Sequence, residues 1–452
     1  MTTSASLVAD DSRAQLDRLA QLAQDVVNRA RAAGASAAEV SAGVDTGLTV
    51  NVRMGEVETV ERTRDRGFGL TVYFGQRKGN ASTADLNPDS IQATLDQACA
   101  IARYTEEDPC AGLADASRMA TDFPDLDLWH PWDLDVDRAV ALGLEIEDAG
   151  RAMPGIGNSE GATVETGSAL SVYANSHGFV GLERDTQHGM SCALIAADAD
   201  GAMQRDYWYD NARAATDFMP AAEIGRKAAQ RTLARIGARS LSTRQCPVLF
   251  APEVARSLVG HLLAAVSGGA LYREASFLIG ARGRQILPAW MSVDEQPFLP
   301  RGFASAAFDA EGVATKASPL VRDGVLARYV LGSYSARKLG LETTGNAGGV
   351  HNLVVSHGED DFTGMLKRMD TGLVVTEVMG QGVNIVTGDY SRGAAGFWVE
   401  HGAIVHPVEG VTIAANLRDM LANIVAVGAD VDRRSSLLTG SILVESMTVA
   451  GE

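Results

Sequence analysis

Gly372-Leu373-Val374-Val375-Thr376 and Gly388-Asp389-Tyr390-Ser391-Arg392-Gly393-Ala394-Ala395-Gly396 are the stretches on which the fold class turns. The first is a short β-branched run that begins at a glycine, the pattern of a buried strand. The second has the glycine content of a phosphate-binding loop and little else of one. It lacks the Lys-Ser/Thr pair that would meet the β/γ-phosphates and magnesium, and Arg392 is an imperfect substitute. Its glycines are read as permitting tight turns between strands. From Thr371 to Ile413 the chain therefore predicts several short strands. The alternating strand–helix units of a doubly wound parallel sheet are not evident.

On either side of that segment the C-terminal part is mixed. A strand at Pro247–Phe250 runs into a helix beginning at Pro252. Further helices are expected at Ser333–Leu339, stopped by Gly340, at Asp360–Met369 and at Leu417–Val427, with a last strand at Ser441–Val449. The N-terminal part has a different rhythm. Leu16, Leu19, Ala20, Ala23, Val26, Val27 and Ala30 form a 3.6-period stripe that ends at Gly34. The period then becomes two at Leu48, Val50 and Val52, and Gly67–Gly75 continues an antiparallel meander. Asn87-Pro88 opens the next helix, with Ile91, Leu95, Ala98 and Ala102 on one face. A helix from Asp135 to Ala152 is followed by strand-like segments at Ser168–Ala174, Met190–Ala196 and Ala202–Trp208, then by a helix from Ala221 to Ile236. Helix followed by meander thus occurs twice, an order compatible with a duplicated architecture although the residues do not match as a repeat. The class is α+β. The expected organisation is an N-terminal α+β domain over 1–240, with subregions at about 12–110 and 130–238, and a C-terminal domain over 241–452 built on a glycine-rich, multi-stranded sheet. The small, polar stretch Ala238–Arg244 marks the boundary.

Composition narrows the function classes. The chain has 452 residues, 46% hydrophobic and 21% charged, a globular balance. Lys and Arg number 39 against 57 Asp and Glu, giving a net charge of −18. Such a surface repels phosphate backbones, which argues against direct nucleic-acid binding. Cys99, Cys110, Cys192 and Cys246 show no C-x-x-C pair and no disulfide-like spacing, the usage of a reducing compartment. Met1–Asp11 has no basic or apolar leader segment. The most apolar window, Val254–Leu271, is broken by Arg256, His261 and Ser267 and reads as a buried helix and turn. A cytoplasmic protein without membrane association is expected.

No histidine is followed by the glutamate of a zinc-peptidase helix. His261 stands alone in its helix and reads as a packed or hydrogen-bonded histidine. His351 and His357, six apart, would share one face of a strand and His401 and His406, five apart, would face opposite sides if extended, and neither pair has an acidic partner at useful spacing. There is no G-x-S-x-G elbow, and no cysteine has a nucleophile's context. Gly345-Asn346-Ala347-Gly348-Gly349 is a turn-former whose backbone amides could cradle a peptide carboxylate.

Longer strings carry more information. Leu331-Gly-Ser-Tyr-Ser-Ala-Arg-Lys-Leu-Gly340, Asn346-Ala-Gly-Gly349, Gly372–Gly382 and Gly388–Glu400, with Asn175-Ser-His-Gly178 and Met203–Trp208 upstream, resemble the TldD/PmbA family, and within it the PmbA/TldE branch. The resemblance covers nearly the whole chain. It implies a chain without the H-E-x-x-x-H zinc ligands and cysteine ligand of the TldD branch, paired with a TldD-like zinc protease subunit that degrades peptides or unfolded polypeptide. Anchored at Tyr272-Arg273, the motif positions fall on Gly260, His261 and Ala265, so no catalytic residue, metal or cofactor is expected, and the chain alone is expected to be inactive. Asn346, Gly348, Gly349, Gln381, Asp389, Tyr390 and Arg392 within the matching strings, and His351 just after Gly349, are the candidates to face peptide or partner. The isolated chain is expected to be able to form a homodimer. Two other readings follow: an interaction protein acting on DNA gyrase or a toxin–antitoxin system, and an autonomous non-zinc hydrolase using His351, His357 or Asp389.

Overall fold

Helix α1 (Ser4–Ala32) buries the stripe Leu16, Leu19, Ala23, Val26, Val27 and Ala30 and is stopped by Gly34 at φ +95°. The computed structural model describes residues 4–451. Strands β1 (Ala37–Arg53) and β2 (Glu56–Phe74) form an antiparallel hairpin whose two turn residues, Met54 and Gly55, both have positive φ, the geometry that matches strand twist. Strand β3 (Arg77–Thr83) completes the meander, and α2 (Pro88–Tyr104) is capped by the Asn87 side chain accepting from the Ser90 amide at 2.8 Å. The pattern then recurs as α3 (Val136–Arg151), β4 (Ile156–Asn175), β5 (Val180–Ala197), β6 (Met203–Ala212) and α4 (Ala221–Ala234).

Both meanders belong to one sheet, in the order β3-β2-β1-β4-β5-β6. The pairing of β1 with β4 joins them, from Glu39 opposite Asn175 to Val52 opposite Ala162. Along β1 the even positions Ala38, Val40, Ala42, Val44, Leu48, Val50 and Val52 are buried beneath the helices. The odd positions, among them Ser41, Gly43 and Gly47, are small or polar and form the helix-free face. The hairpin turn is tied to the helix layer by Glu147 of α3, fully buried, whose carboxylate accepts from the Met54 and Gly55 amides at 2.8 Å each.

The C-terminal part begins with β7 (Arg244–Phe250), α5 (Pro252–Val266) and α6 (Gly268–Tyr272). Strands β8 (Val293–Glu295), β9 (Ser318–Arg322) and β10 (Val325–Leu326), helix α7 (Ser333–Lys338), strand β11 (Leu353–Val355) and helix α8 (Phe362–Met369) follow. Then come β12 (Gly372–Met379), β13 (Asp389–Glu400), β14 (Ala403–Asn416), α9 (Leu417–Ala422), β15 (Ile424–Val427), β16 (Leu437–Leu438) and β17 (Ile442–Ala450). They build a five-stranded sheet, β10-β9-β8-β11-β16, and a six-stranded one, β14-β13-β12-β7-β17-β15, mostly antiparallel but with β12 parallel to β7. The class is α+β, as expected. No helix among the described residues is long and apolar enough to cross a membrane.

Two expectations need correction. The helix predicted over Leu417–Val427 ends at Ala422, and Ile424–Val427 is strand β15, paired with β17. A four-residue apolar run at a helix end suits either state, and the open edge beside β17 decides it. The glycines of 388–396 are not a series of turns either. Only Gly388, at φ +86°, sits at one; the rest lie within β13. Gly396 is there for close approach, because an added Cβ would lie 1.8 Å from the Val374 carbonyl oxygen.

The same device holds α3 against α4. A Cβ on Gly225 would lie 1.8 Å from the Ile146 carbonyl oxygen, and one on Gly150 would lie 2.8 Å from that of Gly225. Neither contact is with a flexible side chain. Gly225→Ala should therefore destabilise the protein by about 2–3 kcal/mol despite alanine's better helix propensity. Chemical denaturation checks this, and an unchanged or raised midpoint would show that the helices separate freely.

Candidate functional site

The sequence candidates divide into two groups on different sheets. Around β8 and β11, Glu295 is 2% exposed and gathers donors. Its Oε1 accepts from the His351 amide at 2.6 Å, from His351 Nδ1 at 2.9 Å and from Asn346 Nδ2 at 2.7 Å, while Oε2 pairs with Arg328. Asn346 is fixed further by its Nδ2 donating to Gly349 O and by its Oδ1 accepting from Arg328 and Thr344. Burial alone would raise the Glu295 pKa, but the His351 hydrogen bonds and the Arg328 charge outweigh it and hold the carboxyl below its ordinary range. An ionised carboxylate only accepts, so His351 Nδ1 carries the proton. That leaves Nε2, which has no partner among the described residues.

His351 borders a cavity of about 510 Å³ between the helix-free face of the first sheet and the loops 303–310 and 347–351. Gly348 and Gly349 lie on its wall, in left-handed conformations at φ +90° and +134°. Asp309, 3% exposed, orients this wall by accepting from the amides of Ala347, Glu311 and Val313 at 2.9–3.0 Å. Burial nevertheless pushes its pKa up to about 6. The floor comes from cross-strand neighbours: Ser41, Ser171, Glu183, Asp185 and Gln187, from β1, β4 and β5. Glu183 is the unusual member, raised to about 7 by burial and by Asp185, against His351 and a Ser171 hydrogen bond. None of the five could be singled out in the sequence, where they are ordinary alternate positions of strands.

The second group sits where α5 crosses β13. Tyr390 and Arg392, two apart on β13, point to the same face. The His261 and Tyr390 rings meet edge to face with centroids 5.9 Å apart. His261 Nε2, Tyr390 Oη, Arg392 Nε and Ser257 Oγ are all enclosed without a hydrogen-bond partner among the described residues. Burial, aided by Arg392, lowers the His261 pKa, and burial pushes Tyr390 up to about 12. Gly260 faces open space, since an added Cβ meets nothing within 4 Å, whereas Ala265 is in the core with no exposure. Glycine and alanine offer no ligand atom, and His261 Nε2 is sealed in. This donor set does not fit zinc, and no group of three His, Cys, Asp or Glu among the described residues is placed to hold a metal ion.

The remaining candidates are local. Asp389 is exposed and accepts from Thr387 and Asn416 around the β13 turn; Gln381 is exposed in the β12–β13 loop. His357 is exposed and pairs its Nδ1 with the Gly358 carbonyl. No serine or cysteine among the described residues is hydrogen-bonded to His351 Nε2, so the cavity presents binding groups and not a nucleophile–base pair.

Three consecutive family models match the chain: PmbA/TldA metallopeptidase domain 1 at residues 38–102, central domain at 129–236 and C-terminal domain at 243–451. A relative named metalloprotease PmbA, from Escherichia coli O157:H7, is 48% identical and covers 92% of each chain. A solved structure described as a candidate modulator of DNA gyrase, from Bacteroides thetaiotaomicron, superposes with a TM-score of 0.91 at 26% identity, covering 96% of this chain and 98% of that one. TldE from Thermococcus kodakarensis, at 18% identity and a TM-score of 0.84, covers 95% of this chain and all of its own, and shares the fold.

Two substitutions separate the carboxylates beside His351. Glu295→Ala strands the buried Arg328 and should cost about 3–5 kcal/mol in a denaturation experiment. Glu183→Gln should do the reverse. With a folded pKa near 7 against an ordinary 4.5, the native state holds a proton that the unfolded chain has lost between those values. Stability therefore falls as pH rises through that window. Glu183→Gln should match the parent near pH 5 and be more stable by about 1–3 kcal/mol at pH 8. A parent whose stability is flat from pH 5 to 8 would contradict the assignment.

Proposed function

Because the chain belongs to the PmbA/TldA metallopeptidase family, we propose that it is the metal-free, catalytically inert subunit that completes a TldD-type zinc peptidase acting on peptides or unfolded polypeptide. The observation that carries this reading is the composition of α5. The positions aligned with the family's zinc histidines are Gly260, facing open space, and Ala265, inside the core, with His261 where the catalytic glutamate would be. The donor set does not fit zinc, so no metal step is assigned to this chain.

An inert subunit contributes by shape. It supplies one wall of a substrate chamber and strand edges along which an extended peptide can add main-chain hydrogen bonds. The exposed Gln381 beside Met379 and Val386, 44% and 53% exposed, is a partner-facing region on this reading. The net charge of −18 suits protein and peptide partners better than nucleic acid.

Reconstitution tests the proposal. The purified chain should carry well under one zinc per molecule and cleave no unfolded polypeptide. Mixed with a TldD-type subunit, it should co-elute as a complex whose chelator-sensitive activity exceeds that of the TldD-type subunit alone. Stoichiometric tight zinc on this chain, or a TldD-type subunit fully active by itself with no complex, would overturn it.

A further inference from the structure

The cavity beside His351 lies apart from α5 and takes no part in the reading above. Its volume, about 510 Å³, is in the range of small-ligand sites, roughly 300–1,000 Å³. Its charges are unevenly matched. Arg213 is spent on Asp185, on the Thr186 carbonyl at 3.0 Å and on the Phe303 carbonyl at 2.8 Å. The Arg184 guanidinium is stacked over Trp129, 5.3 Å from the ring centre. Neither forms an ion pair with Glu183, and no lysine does among the described residues. Glu183 is thus a half-buried carboxylate with a hydroxyl for company and a second carboxylate, Asp185, two residues along the same face.

A second, independent observation points the same way. His351 is 9% exposed, its Nδ1 is locked to Glu295, and its Nε2 is left without a partner beside the cavity. In the neutral ring that nitrogen is an acceptor. Asp185 and Glu183 are acceptors as well. In the loop that faces the sheet, Phe303 and Phe308 are apolar.

We propose that this cavity is a receptor for an organic ammonium group, with Glu183 as counter-ion, His351 Nε2 as a further acceptor, and Phe303 and Phe308 against the attached side chain. A bare divalent ion fits less well, because no three His, Cys, Asp or Glu among the described residues converge to hold one. A peptide N-terminus and a lysine side chain share the required chemistry. The destabilising environment of Glu183 is what a group kept for binding tolerates and what selection for stability alone would remove.

Calorimetric titration of the isolated full chain at pH 8 tests this without any partner or activity. Leucine amide offers an α-ammonium, Nα-acetyl-lysine amide an ε-ammonium, and N-acetyl-leucine amide no cation. At least one of the first two should bind, with the third weaker by tenfold or more, and which one binds identifies the source. Glu183→Gln should lower that affinity at least tenfold while remaining folded. Ala306→Leu, which fills the cavity without touching the charge, should also abolish binding. Equal binding of the three probes, binding that survives both substitutions, or no binding by either ammonium would overturn the proposal.

Discussion

The way the first sheet meets the C-terminal part governs the rest of the molecule, and it is a contact made by arginines. Arg213, 6% exposed, reaches from the end of β6 to the carbonyls of Gly302 and Phe303. Arg301 pairs with Asp127 and Asp217, Arg337 donates to the carbonyls of Cys110 and Gly112, and Arg434 lies 4.1 Å from the Trp208 ring centre. Among the described residues the large apolar clusters stay on their own sides, and only a small one around Phe179 and Phe308 crosses. Guanidinium groups bonded to backbone carbonyls hold the parts at set distances without closing the space between them. A packed apolar seam would have filled it. The cavity is therefore a consequence of how the parts are joined, and so is the small, polar character of the face that floors it. Where the apolar cluster does cross, the approach is tight: a Cβ on Gly181 would lie 2.3 Å from Phe308.

Much of the fold was legible because its signals are local. The α1 stripe, the Asn87 cap and the alternation of β1 each depend on a few adjacent residues. The order helix, meander, helix was visible in both N-terminal subregions for the same reason. The β1–β4 pairing that fuses the meanders was not, since nothing in Glu39–Val52 names Ala162–Asn175 as its neighbour. The α9–β15 boundary failed because a short apolar run carries no period long enough to measure. Long-range pairing and open edges settle such segments, and neither is written locally.

The site was legible in part. The Asn346–Gly349 loop came from a string that marks the family and His351 from the inspection of histidines, and the structure puts them together on one buried carboxylate, Glu295. Tyr390 and Arg392 came from another such string but belong with His261 on another sheet. Their atoms His261 Nε2, Tyr390 Oη and Arg392 Nε are enclosed with no hydrogen-bond partner among the described residues. The residues missed were Glu295, Glu183, Asp185 and Asp309. Acidic residues number 57 with aspartate and glutamate together, and sequence offers no way to tell the few that are buried from the many that are solvated.

Glu295 and Glu183 make that point in the sharpest form, because both act on one histidine. Glu295 has an arginine, an asparagine and two donors from His351, and its pKa falls despite burial. Glu183 has Ser171 and an unfavourable neighbour, and its pKa rises. Identical chemistry thus yields a carboxylate that holds the structure and one that strains it. The difference lies in how many donors the fold delivers to each. Separated pKa values across a shared group are how a protein assigns distinct roles to like residues. Glu295 sets the tautomer of His351, which borders the cavity, and leaves Nε2 without a hydrogen-bond partner among the described residues. Glu183 lines the same cavity with the Ser171 hydroxyl as its donor and no arginine or lysine ion pair among the described residues.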